Sequence, residues 1–99
     1  MLYIFWEFQV HPDKVAEFER RYGSDGDWAQ LFRRASGYHK TVLGRDRNIA
    51  GHYLVTDTWE SASSFAAFKS EFHETYRTLD KECESLTINE KHIGDFELL

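Results

Sequence analysis

Residues 52–86, HYLVTDTWESASSFAAFKSEFHETYRTLDKECESL, decide the fold. The period changes once within them. Up to Trp59 most residues are β-branched or aromatic, and Tyr53, Val55 and Trp59 fall on one side, as in a half-buried strand. Ser61 then offers a helix cap. From Phe65 the apolar side chains Phe68, Phe72, Tyr76, Leu79, Cys83 and Leu86 recur at steps of three or four. This is the strongest periodic signal in the chain, and it predicts one long amphipathic helix, or two with a kink near Glu71 to Glu74.

Just upstream, YHKTVLGR (38–45) reads as the antiparallel partner of the 52–59 strand, joined to it by the polar, glycine-ended turn DRNIAG. A hairpin loop of about five residues suits that spacing. At the N-terminus, residues 2–10 are rich in Tyr, Ile, Phe, Trp and Val, which favours a strand. Its two faces, Leu2-Ile4-Trp6-Phe8-Val10 and Tyr3-Phe5-Glu7-Gln9, both ask for cover. His11-Pro12-Asp13 ends it, with Pro12 suited to the first helical position. Val15, Phe18 and Tyr22 give the next helix its apolar stripe, and Gly23 stops it. In GSDGDW (23–28), Asp25 or Asp27 is expected to cap a short helix carrying Trp28, Leu31 and Phe32, with Ser24 a weaker candidate and Gly37 ending the helix. Residues 88–98 read as a last strand, weakened by Gly94.

The order strand–helix–strand–strand–helix–strand points to an α+β, ferredoxin-like βαββαβ fold, with a four-stranded antiparallel sheet and helices on one face. Residues 1–99 are expected to make a single domain, since a chain of 99 residues leaves no room for a second core. On the bare face Tyr3 and Phe5 would form an exposed apolar patch, so a homodimer with facing sheets is expected.

Composition narrows the function. Twelve basic against 17 acidic residues give a net charge of −5, which argues against nucleic acid. The Arg33-Arg34 and Arg45/Arg47 pairs have acids nearby and read as solvated surface. One cysteine, Cys83, excludes an intrachain disulfide and a cysteine-rich zinc site, and its place on an apolar stripe predicts a buried thiol. The apolar opening carries Glu7 and lacks a basic leader region, so a cytoplasmic protein with no membrane segment is expected. Aromatic residues are 16% of the chain, enough to line a pocket or an interface as well as a core.

The pattern resembles the antibiotic biosynthesis monooxygenase family of the dimeric α+β barrel superfamily. The likeness covers nearly the whole chain. It rests on the opening strand running into the HPDK helix start, on Gly37-Tyr38 opening the second strand, and on YLVTDTWES (53–61) leading into SFAAF. The segment 22–38 resembles a subgroup's variant of the first helix–strand connection. The resemblance implies a pocket between sheet and helices, and a monooxygenase-like activity on aromatic or polyketide-like molecules with no cofactor. In such chemistry the substrate itself is ionised to an electron-rich anion that reduces dioxygen, while the protein supplies a dry cavity, a base and oriented donors. The alternative on the same fold is a non-catalytic ligand-binding or structural homodimer. The haem-degrading branch carries an Asn on the first strand and a Trp and a His on the helix after the hairpin. Here the first two positions hold Trp6 and Phe68 and the third falls near Thr78, with His73 a turn earlier, which argues against haem degradation and leaves haem binding through a histidine as a third option.

The expected pocket walls are Trp6, Phe8, Trp28, Phe32, Phe68, Phe72 and Tyr76. A hairpin turning about Asn48 sets His39 opposite Asp57, a pairing that would raise the imidazole pKa and hold one tautomer for acid/base work. Otherwise the two make a surface pair, or a one-residue slip separates them. The five histidines show no metal-binding spacing, so no metal is expected, and His73 is expected to face solvent. GSDGDW lacks both the ligand string of a calcium loop and the lysine of a phosphate loop. Trp28 is left with two placements, in the core or over the pocket mouth.

Overall fold

The computed structural model describes residues 1–99. The elements in chain order are β1 (Leu2–Val10), α1 (Val15–Tyr22), α2 (Asp27–Phe32), β2 (Tyr38–Arg45), β3 (His52–Trp59), α3 (Ala62–Glu71), α4 (His73–Cys83), a 3-10 turn (Glu84–Leu86) and β4 (Thr87–Glu97). The four strands form one antiparallel sheet in the order β2-β3-β1-β4, with the helices over one face. This is the ferredoxin-like arrangement expected from the element order. No helix is long and apolar enough to cross a membrane.

The strands follow from alternation. Leu2, Ile4, Phe8 and Val10 of β1 are buried on the helix side, against Tyr53, Val55 and Trp59 of β3. Across this interface the rings of Phe18, Tyr22, Trp28, Phe32 and Phe68 pack edge-on, tilted or stacked, with neighbouring centroids 4.2–6.1 Å apart. Burial of such rings is the main stabilising contribution in so short a chain. Cys83 is buried with them, as the helical stripe requires.

Three boundaries differ from expectation. The first helix starts at Val15 rather than at Pro12, because residues 11–14 form a turn closed by the Lys14 amide donating to the His11 carbonyl. The cap of α2 is Gly26, not an aspartate. Asp25 instead pairs with Arg33 (2.7 Å) and Asp27 with Arg21 (3.0 Å). Gly26 is required for space, since a Cβ there would lie 2.4 Å from the Arg21 carbonyl oxygen. Gly37 does not end α2, which stops at Phe32. With φ +89° it turns the chain into β2, close against Ser64.

The long periodic segment divides at Phe72, where φ −105° and ψ 25° break α3 from α4 within the predicted interval. Ser61 caps α3 by accepting the Ser64 amide at 3.1 Å. The sheet face away from the helices carries Tyr3, Phe5, Val42, Leu54 and Phe96. Val42 is 51% exposed, Leu54 44% and Phe96 52%.

Candidate functional site

A cavity of about 120 Å³ lies between the sheet and the helices, open on one side. Alternation on β1 aims Trp6 and Phe8 into it, and β3 contributes Val55 and Asp57, with Thr41 of β2 beside them. From above come Tyr22 at the end of α1, Trp28 and Phe32 of α2, and Tyr76 and Asp80 one turn apart on α4. Glu90 borders it from β4, where it pairs with Phe8. A dry cavity of roughly 150 Å³ accommodates a benzene ring, whereas drug-sized pockets run from about 300 Å³ upward. The volume here suits a single ring.

Asp57 is the distinctive group. It is 7% exposed, and one oxygen, Oδ1, accepts the Thr41 hydroxyl at 2.6 Å. No protein hydrogen bond reaches the other oxygen, Oδ2, and Asp57 is among the residues that line the cavity. Burial pushes the carboxyl up to about 6, against the opposing effect of the Thr41 bond. A hydroxyl has one proton, and Thr41 gives its own to Asp57. Tyr38 must therefore donate in turn to Thr41, at 2.8 Å. A carboxyl titrating near neutrality with one free oxygen can take a proton from a bound molecule. Tyr76 is held protonated, its phenol pushed up to about 12 by burial and then by Asp80, Asp57 and Glu90.

The expected pairing of His39 with Asp57 is not formed. The strands are in register as Thr41↔Asp57, with a bulge between Tyr38 and Lys40. His39 is the extra residue of that bulge. It is exposed and meets Glu60 at 3.1 Å. The bulge also lets Tyr38 and Thr41, three residues apart, share the helix side. The turn runs from Asp46 to Gly51, whose φ of +76° suits glycine, and Asp46 holds it by accepting the amides of Asn48 and Ile49. This offsets the register from a turn centred on Asn48.

Of the expected walls, Trp6, Phe8, Trp28, Phe32 and Tyr76 line the cavity. Phe68 does not. It is buried behind them, between Trp59, Phe32 and Phe72. Phe72 lies outside too, half-buried beneath the Arg34 guanidinium at 5.0 Å. Trp28 satisfies both open placements in part, being a buried core residue and a cavity wall. Tyr22, Thr41, Val55, Asp80 and Glu90 were not foreseen as walls. Asp80 could have been found, since it lies four residues after Tyr76 on the same helix face.

The histidines are dispersed. His52 is held between Asp46 (2.6 Å) and Glu7 (2.8 Å), His92 by Asp95 (2.7 Å), and His73 is exposed. No cluster of three or more His, Cys, Asp or Glu side chains is arranged to hold a metal ion.

With this geometry in hand, the sequence model for the antibiotic biosynthesis monooxygenase family matches residues 1–78. The chain belongs to that family. Among solved structures, this family member is similar in fold to SnoaB, a cofactor-independent oxygenase from Streptomyces nogalater, at 20% identity and a TM-score of 0.74 over 99% of this chain and 92% of that one. A Deinococcus radiodurans protein that bears the family's name gives a TM-score of 0.79 at 15% identity, covering 99% and 92%. A Pseudomonas aeruginosa protein gives 0.70 at 17% identity, covering 99% and 93%. At these identities the likeness is one of fold. Comparison with curated proteins found no match.

Proposed function

We propose that this member of the antibiotic biosynthesis monooxygenase family is a cofactor-independent oxygenase of a small aromatic substrate, working as a homodimer, with Asp57 as its base. One observation carries the reading. A buried carboxyl with an uncommitted oxygen borders a cavity walled mainly by aromatic side chains. Membership of the family and the fold shared with SnoaB support it.

Asp57 takes the proton of an activated CH₂ group of the substrate. The electron pair left on carbon reduces dioxygen and forms a carbon–oxygen bond, giving a carbon-bound peroxide. Loss of the second hydrogen with cleavage of the O–O bond yields the carbonyl and water. Overall, CH₂ and O₂ become C=O and H₂O. Thr41, with Tyr38 behind it, stabilises the ionised form of Asp57, and the protonated Tyr76 hydroxyl donates to the developing peroxide. The substrate supplies its own electrons, so the protein's part is positioning and proton transfer. The homodimer covers the apolar sheet face around Val42, Leu54 and Phe96.

The test is oxygen uptake by the purified protein with a panel of single-ring hydroxyaromatics, whose keto tautomers carry the activated CH₂ group. The expected rate rises with pH through a midpoint near 6, as Asp57 ionises, and Asp57→Asn lowers it by about 10²-fold or more. No uptake above buffer with any member of the panel, or an unchanged rate in the variant, overturns the proposal. The modest cavity volume favours the second reading, a ligand-binding dimer without turnover. Binding without oxygen uptake in the same panel would select it.

A further inference from the structure

The charged side chains that line the cavity are all acidic. Asp57 lies at its buried floor, while Asp80 and Glu90 are exposed at its rim. No Lys, Arg or His is among the lining residues. Lys69 sits 5.1 Å from the Tyr76 ring centroid and 5.6 Å from that of Phe65, outside the cavity. His92 rests against Trp6 but is bonded to Asp95. Such a field repels an anion and attracts a cation.

The floor needs a donor as well. Asp57 is more than nine-tenths buried, and its free oxygen can be satisfied only by something that enters the cavity. Trp6 of the sheet and Trp28 of α2 are among the walls, and indole rings are surfaces on which organic cations are held. An ionisable substrate faces a further difficulty here. With its proton passed to Asp57, the substrate's anion sits near the carboxylates of Asp80 and Glu90, whose repulsion a positive charge on the molecule would offset.

We propose that the cavity takes a single-ring aromatic amine in its protonated form, with the ring between Trp6 and Trp28, an acidic hydrogen toward Asp57, and the ammonium at the rim between Asp80 and Glu90. This names the substrate class of the site assigned above and rests on that assignment. It also excludes carboxylated aromatics, which the rim repels. The cationic group offsets the substrate anion as it forms, so the charge pattern that selects the ligand also eases its ionisation.

Three probes of equal length separate charge from shape: tyramine (cation), 4-(2-hydroxyethyl)phenol (neutral) and 4-hydroxyphenylacetate (anion). Their affinities can be read by calorimetry and by quenching of the cavity tryptophans at low salt. Tyramine is expected to bind about ten-fold more tightly than the neutral probe, as two partly exposed ion pairs would give, and the anion more weakly than either. The advantage of tyramine should shrink with added salt. It should also fall toward unity in Asp80→Asn/Glu90→Gln, with cooperative melting showing that the variant folds. Equal binding of amine and neutral probe, tighter binding of the acid, or no binding of any probe overturns the proposal. Oxygen uptake with the neutral phenol but no preference for the amine would overturn it and leave the oxygenase reading standing. Preference for the amine without uptake would do the reverse.

Discussion

Replacing Asp57 by asparagine should make the protein more stable at neutral pH, in a way that depends on pH with a defined sign. In the folded chain the carboxyl titrates at about 6, against an ordinary value of 3.8. The native state therefore holds a proton between those values that the unfolded state has released, and stability falls as pH rises through that window. Above pH 6 the whole penalty is present, roughly 3 kcal/mol for a carboxyl raised this far. Near pH 4.5 about 1 kcal/mol remains, and below pH 3 almost none. Asparagine keeps an oxygen for the Thr41 hydroxyl and never ionises, so Asp57→Asn removes the penalty. Urea denaturation of parent and variant from pH 4 to pH 8 isolates the effect, because every other titrating group is common to both. The difference in unfolding free energy should grow by about 2 kcal/mol in the variant's favour from pH 4.5 to pH 8. A difference independent of pH would mean that Asp57 is solvated, and the buried-base argument would fail with it.

Gly26→Ala should destabilise the fold by about 2 kcal/mol, because the new methyl meets two backbone carbonyl oxygens, of Arg21 and Arg20, that cannot swing aside. A melting temperature unchanged from the parent would contradict the crowding. His52 should titrate above its ordinary 6.5, raised by Asp46 first and Glu7 second. Its stabilising contribution is complete below 6.5 and is lost as pH rises through the folded value. An NMR titration should show the midpoint falling in Asp46→Asn, and a parent midpoint at or below 6.5 refutes the pairing. Leu54→Lys, on the bare sheet face, should convert a sedimenting dimer to single chains. A parent that already sediments as one chain at micromolar concentration rules the homodimer out.

How far the sequence carried depended on the range of the interaction. The strand ending at Trp59 and the helix opened by Ser61 were legible because their signals are local: period two, a cap, then steps of three and four. The face assignments of Thr41, Tyr53, Val55 and Trp59 followed from alternation and hold in the structure. The pairing of His39 with Asp57 failed because register is set by the turn and by one extra residue in β2, and neither leaves a periodic trace. Phe68 and Phe72 share the stripe of Tyr76, yet spacing alone does not distinguish the side chains that fill the core from those that border its void. Glu90 was beyond reach for a similar reason. It enters the site through its pairing with Phe8, more than 80 positions earlier in the chain. The aspartate caps failed because α2 starts at Asp27, so neither carboxylate occupies the cap position, and both pair with arginines instead.

The surplus residue at position 39 acts on β2 as an inserted base acts on a reading frame. A relative whose second strand is regular, aligned here without a gap, would have its inside and outside exchanged on one side of that point. A search for the counterparts of Tyr38 and Thr41 in such a relative must open a one-residue gap at His39, or it will compare a chamber wall with a residue that faces water.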